Sequence, residues 1–553
     1  MNARSFLLIT SLLLVSFTFA QDAVVKQGKP FIKTQKGSTG ADVHFVVNGI
    51  TGTDGRAVLF VEEGLAHKLV RLDMNLQPSE EVTLQQLTFD GKKWDGIASI
   101  VSGNEMHVLF ASNGKKAAEL GIANVELSGP LAISGFHSVA TFEGTNTYDP
   151  EVTTSRKSLP DFIIYDNGMA YDQQERIVRS PDGAHFLLNY YTRDTKGNKK
   201  LWYNCLDKNF KSEWAGVKDL PFPDLRSKVH QIALDNSGRI LLLTYVFTCA
   251  SEERMSDKQC HEMHLTAISA QGAKMKDMLI DKNFVSSARF CAMNDGKIML
   301  GVRYGALTGE PGVLLQIDTA ITKLKPTPLV DQRVATIRKV KLTTFGAPAT
   351  DPKKKTTATR ATAKVPDEVV DVLPAWDGGA LLIEEFHDPE MQVSIGDGVA
   401  MRHLNGALRA TYVDAHDSIR WQQTVDRSFM TTAGEPYESI GYALNDEGLL
   451  LFFNNTPGGL AAIIAPAEPE DDSKKKDKKD KAPMAEPSAL HAAMISRDGK
   501  VIAEKSIALP PTGFTECPMS LVTNADHSAA WISAFDRDKS HTYIEVDTRA
   551  LVK

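Results

Sequence analysis

One phrase returns along the whole chain, and it restricts the fold more than any other feature. In "IALDNSGRILLLTYVF", Ile232 to Phe247, a short apolar run enters a turn of small polar residues and a longer apolar run leaves it. Related stretches are "DVHFVVNGITGTDGRAVLFVEE", "SIVSGNEMHVLFAS", "RIVRSPDGAHFLLNYY", "RFCAMNDGKIMLGVRY", "DVLPAWDGGALLIEEF", "IGYALNDEGLLLFFN" and "SLVTNADHSAAWISAF". Gly, Asn and Asp tolerate the positive φ of tight hairpins. The second runs are almost wholly apolar, as in strands buried on both faces. The first copy is the weakest.

A second hairpin follows each phrase, as in "HEMHLTAISAQGAKMKDMLI", "KLWYNCLDKNFKSEW", "GVAMRHLNGALRATYV" and "LHAAMISRDGKVIAEKSI". The unit is therefore strand A, turn, strand B, variable loop, strand C, turn, strand D, over roughly 66 residues. Such a unit cannot bury its faces alone, and its repetition predicts an all-β chain: a single β-propeller of eight, alternatively seven, four-stranded blades with strand A innermost. No long helix is evident.

"SPDG", Ser180 to Gly183, resembles the A–B turn of WD40 and TolB-type propellers. The Trp-Asp ending of WD40 repeats is missing; "LQID" and "IEVD" are partial echoes. The resemblance implies the fold and no activity. After "HTYIEVD" little chain remains for a last strand D, while "AVVKQGKPFIKTQ" near the start has no unit of its own. Either this segment completes the last blade or it is a frayed tail.

The opening "MNARSFLLITSLLLVSFTFA" has the form of a cleaved secretory signal, residues 1–20, which predicts a soluble, exported chain, periplasmic or extracellular. Nothing later in the sequence is long and apolar enough to be a transmembrane segment. A net charge of -7 argues against a nucleic-acid partner, and 42% hydrophobic residues support a large core.

The repeat puts A–B and C–D turns on one side and the longer B–C loops on the other. Polar residues gather where strand B leaves the sheet: Arg193, Asp194, Arg303, Tyr304, Glu384, Glu385, His387, Asp388, Asn454, Asn455, Asp536, Arg537 and Asp538. They are the candidate binding residues, around one mouth of the channel, for a protein or carbohydrate ligand. In an extended strand Glu384 and Glu385 point to opposite faces, and "EEFHD" reads as a solvated loop rather than a metal site. The cation-loop spacing is absent there, and His261 and His264 of "CHEMH" lack the zinc-helix spacing. No metal, cofactor or catalytic residue is assigned. No nucleophile elbow, phosphate loop or dinucleotide fingerprint is present. The chain reads as a binding scaffold; the alternative is a hydrolase or lyase of the propeller mouth, acting on a glycan or peptide through paired carboxylates.

Two Pro-, Ala- and Lys-rich insertions, about 347–366 and 466–487, hold almost no large apolar groups and are expected to be mobile. The Lys run of the second is a solvated spacer or a contact for an anionic surface. Cys249 and Cys260 bracket one B–C loop. Export predicts a disulfide between them; two free thiols are the competing reading. Cys205, Cys291 and Cys517 lie in apolar runs and read as buried thiols.

Overall fold

The computed structural model describes residues 25–29, 31–32, 44–63, 66–113, 117–143, 177–193, 197–223, 226–248, 261–270, 274–282, 285–304, 312–329, 367–395, 398–427, 429–432, 440–455, 489–507, 515–524, 527–535 and 540–552. Eight antiparallel sheets form an eight-bladed β-propeller. Blades 1 to 7 span residues 44–83, 87–143, 178–223, 227–281, 285–328, 367–432 and 440–507; blade 8 is residues 515–547 plus 25–32. Blade 2 has an extra strand, Leu87–Phe89, and blade 6 has Phe429–Thr432. No described helix is long and apolar enough to cross a membrane.

The opening phrase shows why the apolar runs are continuous. Strand B of blade 4, Ile240–Phe247, sends Leu241, Leu243 and Tyr245 into a cluster with Phe290, Leu300 and Val302 of blade 5. Its alternate residues Ile240 and Leu242 pack with Leu187, Leu201 and Cys205 of blade 3. Each sheet thus buries both faces, and each fully buried Leu contributes roughly 1.5–3 kcal/mol. The turn is closed by Asp235, whose Oδ1 accepts the Ser237 and Arg239 N–H groups at 2.9 Å, while Gly238 takes φ 77°.

Successive A–B turns lie side by side. Asp182 N–H donates to Asn236 Oδ1 at 3.0 Å, and Asn236 Nδ2 reaches Asn294 Oδ1 at 3.4 Å. Arg239 donates to Gly296 O at 2.9 Å and to Thr319 O in a C–D turn. These contacts place A–B and C–D turns on one side, as the repeat requires. Strands A of most neighbouring blades touch one another, including the first and last, so strand A is innermost.

Two open points of the sequence reading resolve. The weak first copy is a blade, so the count is eight rather than seven. The segment near the start is not a tail: Val25–Gln27 pairs antiparallel with Ser540–Asp547, Val25 opposite Val546 and Gln27 opposite Ile544, and Phe31–Ile32 continues the edge. Thr542 Oγ1 donates to Gly28 O at 2.8 Å. Both insertions, and Cys249 and Cys260, lie outside the described residues, as does the Cys517 side chain; Cys205 and Cys291 are buried free thiols.

Two expectations follow. Removing residues 1–32 opens the edge of Ser540–Asp547, so the melting temperature falls by more than ~4 °C and aggregation becomes concentration-dependent. An unchanged melting curve contradicts the closure. His261 on strand C of blade 4 is buried, and its Nε2 accepts the Val285 N–H of blade 5 at 3.3 Å. Burial pushes its imidazole down to about 4. The unfolded chain, with an ordinary histidine, takes up the proton first. The stabilisation is therefore intact above pH ~6.5 and is lost as pH falls through about 4, to an extent of roughly 3 kcal/mol. Urea titrations across this window should show a shallower pH slope for His261→Gln than for the native chain.

Candidate functional site

Strand B of blade 6 does not stop where the other strands B stop. It runs Ala380–Ile395 and strand C runs Gly398–Val413, sixteen residues each, against seven to nine for strand B in the other blades. "EEFHD", read from sequence as a solvated loop, is therefore strand. Among the described residues strand A accompanies strand B to Phe386. Beyond it Met391 pairs with Arg402 and Ile395 with Gly398, making a two-stranded arm. At ~3.4 Å per residue, residues 387–395 extend roughly 30 Å. Phe429–Thr432 covers the outer edge of strand C at 402–405. Among the described residues no strand pairs with the outer edge of 387–395.

Glu384 and Glu385 form the root of this arm. They point to opposite faces, as strand alternation requires, and each is held by a guanidinium. Arg303 Nε, on strand B of blade 5, donates to Glu384 Oε1, and Arg409 Nε lies 3.8 Å from Glu384 Oε2. On the other face Arg427 Nη1 donates to Glu385 Oε1 at 2.5 Å, and its Nε donates to Asn454 O of blade 7 at 3.1 Å. Glu384 is 0% exposed and Glu385 2%. The two carboxylates thus tie three blades together at one level. Tyr304 OH donates to Asp281 Oδ2 of blade 4 at 2.5 Å.

Of the sequence-predicted residues, Arg303, Glu384, Glu385 and Asn454 come together in this network; Tyr304 lies beside it and Asn455 ends its strand, half-buried. His387 and Asp388 are in the arm by backbone pairing, opposite Asn405 and Leu404. Their side chains and that of Arg193 lie outside the described residues, as do Asp194, Asp536, Arg537 and Asp538. Sequence reasoning missed Arg409 and Arg427. Arg409 is the cross-strand partner of Glu384, which only the register reveals; Arg427 follows strand D with no pattern to mark it.

A second group was also missed. Asn48, Ser99, Gln231, Arg289 and Asp371 each stand three residues before the end of their strand A. All are half-buried although they sit on the innermost strands, so the water they meet is that of the channel. Asn48 Nδ2 donates to Ser99 O at 3.3 Å. Gln231 exchanges two bonds with the Phe290 backbone, at 2.8 and 2.9 Å. Arg289 Nη1 is 2.6 Å from His230 Nε2, and Tyr442 OH donates to Asp371 Oδ2. Burial within the ring wall raises the Asp371 carboxyl above its ordinary range, against the Tyr442 bond and the Arg289 charge.

No family model matches the chain, and no curated protein matches it. Among solved structures it is similar to prolyl oligopeptidase B from Galerina marginata, at 9% identity and a TM-score of 0.39, covering 90% of this chain and 56% of that one. A eukaryotic initiation factor is similar at 8% identity and a TM-score of 0.33, covering 91% and 96%. A Synechocystis apocarotenoid oxygenase is similar at 12% identity and 0.31, covering 94% of both chains. The chain spans little more than half of the oligopeptidase. At these values the likenesses transfer no activity, and the propeller rests on this chain's own sheet topology.

The buried pairs make a stability test. Arg427→Leu leaves Glu385 uncompensated in the interior and should cost ~3–5 kcal/mol, while Arg427→Leu combined with Glu385→Leu should recover most of it. Urea denaturation measures both; a single-variant cost below ~1 kcal/mol would mean that the pair is solvated.

Proposed function

We propose that the protein is an exported binding scaffold whose partner is an extended protein segment, docked along the edge of the blade-6 arm that no described strand pairs with. The arm is the observation that carries this reading. An unpaired strand edge offers a row of main-chain donors and acceptors, and an incoming strand satisfies them. The root is held by Glu384 and Glu385 through buried ion pairs to Arg303 and Arg427, so little ordering of the scaffold accompanies docking. His387 and Asp388 lie at the base of that edge by backbone pairing, and the sequence offers Arg193, Asp194, Asp536 and Arg537 as further candidate contacts. The leader at residues 1–20 supports export, and an oxidising compartment supports a Cys249–Cys260 bridge.

Replacing 391–402 by a two-residue turn removes the arm above its root. The shortened protein should keep its melting temperature within a few degrees and lose the partner. A photo-crosslinking residue at Val393 in the exported chain should give a protein adduct, and one at Asn236, on the opposite side, should not. Equal adducts from both positions, or none from Val393, overturn the reading.

A second reading, a hydrolase or lyase inside the channel acting on a glycan or peptide, has one observation in its favour. The raised carboxyl of Asp371, beside Tyr442 and with Arg289 and His230 on the preceding blades, is the kind of perturbed group that acid–base catalysis uses. Turnover of glycan or peptide substrates that Asp371→Asn abolishes would establish it.

A further inference from the structure

Blade 3 carries a cluster of donors that neither reading uses. His185 begins strand B, His185–Arg193; Cys205 is on strand C, Asn198–Asp207; Glu213 is on strand D, Ser212–Pro223. One ligand atom from each lies within 4.8 Å of the others.

Three local features bring them together. The "SPDG" turn sets His185, since Ser180 Oγ accepts the His185 N–H at 3.0 Å and Gly183 takes φ 67°. Leu187 pairs with Cys205, so His185, two residues before Leu187, shares a face with Cys205. Simple alternation would turn Glu213 to the other face, because its neighbour Trp214 is the partner of Cys205. A register shift intervenes: Cys205 faces Trp214 while Leu206 faces Ser212, which leaves Glu213 as an extra residue. Such bulges re-aim a side chain, and here the Glu213 carboxylate reaches His185, Oε2 to Nδ1, at 2.8 Å.

We propose that His185, Cys205 and Glu213 bind a borderline divalent transition-metal ion of the zinc class, in a site with three protein ligands and an open fourth position. The set combines imidazole, thiol and carboxylate, the three donor types that zinc accepts. Tetrahedral bonds of ~2.0–2.3 Å put ligand atoms roughly 3.5 Å apart. The donors, within 4.8 Å of one another, must therefore shift by about an ångström, the 2.8 Å Oε2–Nδ1 pair opening as the sulfur separation closes. The His185 and Glu213 side chains are free to do so, being 23% and 39% exposed, whereas Cys205 is fixed in the core.

Binding replaces the S–H bond by an S–metal bond and releases the proton to solvent, so affinity rises with pH. The metal enters from the Glu213 side and is walled on the other by the apolar cluster around Leu187, Tyr203 and Leu201.

Cobalt(II) titration of the full chain, purified free of metal and reduced, tests the proposal. One equivalent should bind with a thiolate-to-cobalt charge-transfer band, and zinc should displace it. Cys205→Ser should remove the band, and His185→Gln should weaken binding at least ~10-fold. Zinc should raise the melting temperature of the native chain and not that of His185→Gln. Because Cys205→Ser alters the core, the half-exposed His185→Gln keeps the test decisive. Absence of the band, or equal affinity in native and His185→Gln chains, overturns the site.

Discussion

Everything in this molecule depends on burying both faces of each blade against its neighbours. A four-stranded sheet with strands as apolar as Ile240–Phe247 has no solvated side to offer. It is stable only when a blade stands on either side, and the last blade then needs the first. That condition is met where Val25–Gln27 joins Ser540–Asp547 and Val46 N–H donates to Ser533 Oγ at 3.1 Å. Closure across the whole chain removes the sheet edge that would otherwise stay open in blade 8.

The polar architecture follows from the same ring. Between blades the space is dry, so charges that enter it must arrive in pairs. Glu384 and Glu385 are neighbours in one strand and therefore face two different gaps; each meets an arginine there. Toward the axis the ring leaves room for water, and that is where Asn48, Ser99, Gln231, Arg289 and Asp371 stand. The arm of blade 6 rises from the level of the paired glutamates.

Local chemistry was legible in the sequence. The Asn-Ser-Gly, Pro-Asp-Gly and Asn-Asp-Gly turns and the runs beside them are short-range signals, and they located the blades and the side on which the turns lie. Glu384 and Glu385 were legible as opposite-facing residues because strand alternation is local. Their surroundings were not. "EEFHD" resembles a solvated loop by composition, yet its two glutamates are among the most buried of the described residues, because Arg303 of the neighbouring blade and Arg427 after strand D neutralise them. Arg427 carries no pattern, and Asp371 sits in a strand A like any other until the ring shows which positions meet the channel.

The division has a physical reason. Sequence alone determined the repeat, the strand–turn–strand unit and the all-β class, since turn propensity and apolar periodicity act over a few residues. Only the tertiary structure decided the blade count, the use of Val25–Gln27 as the closing strand, the pairing of Arg303 and Arg427 with the two glutamates, and the meeting of His185, Cys205 and Glu213. These depend on register and on which blade stands next to which, and such choices are made by contacts between residues tens to hundreds of positions apart.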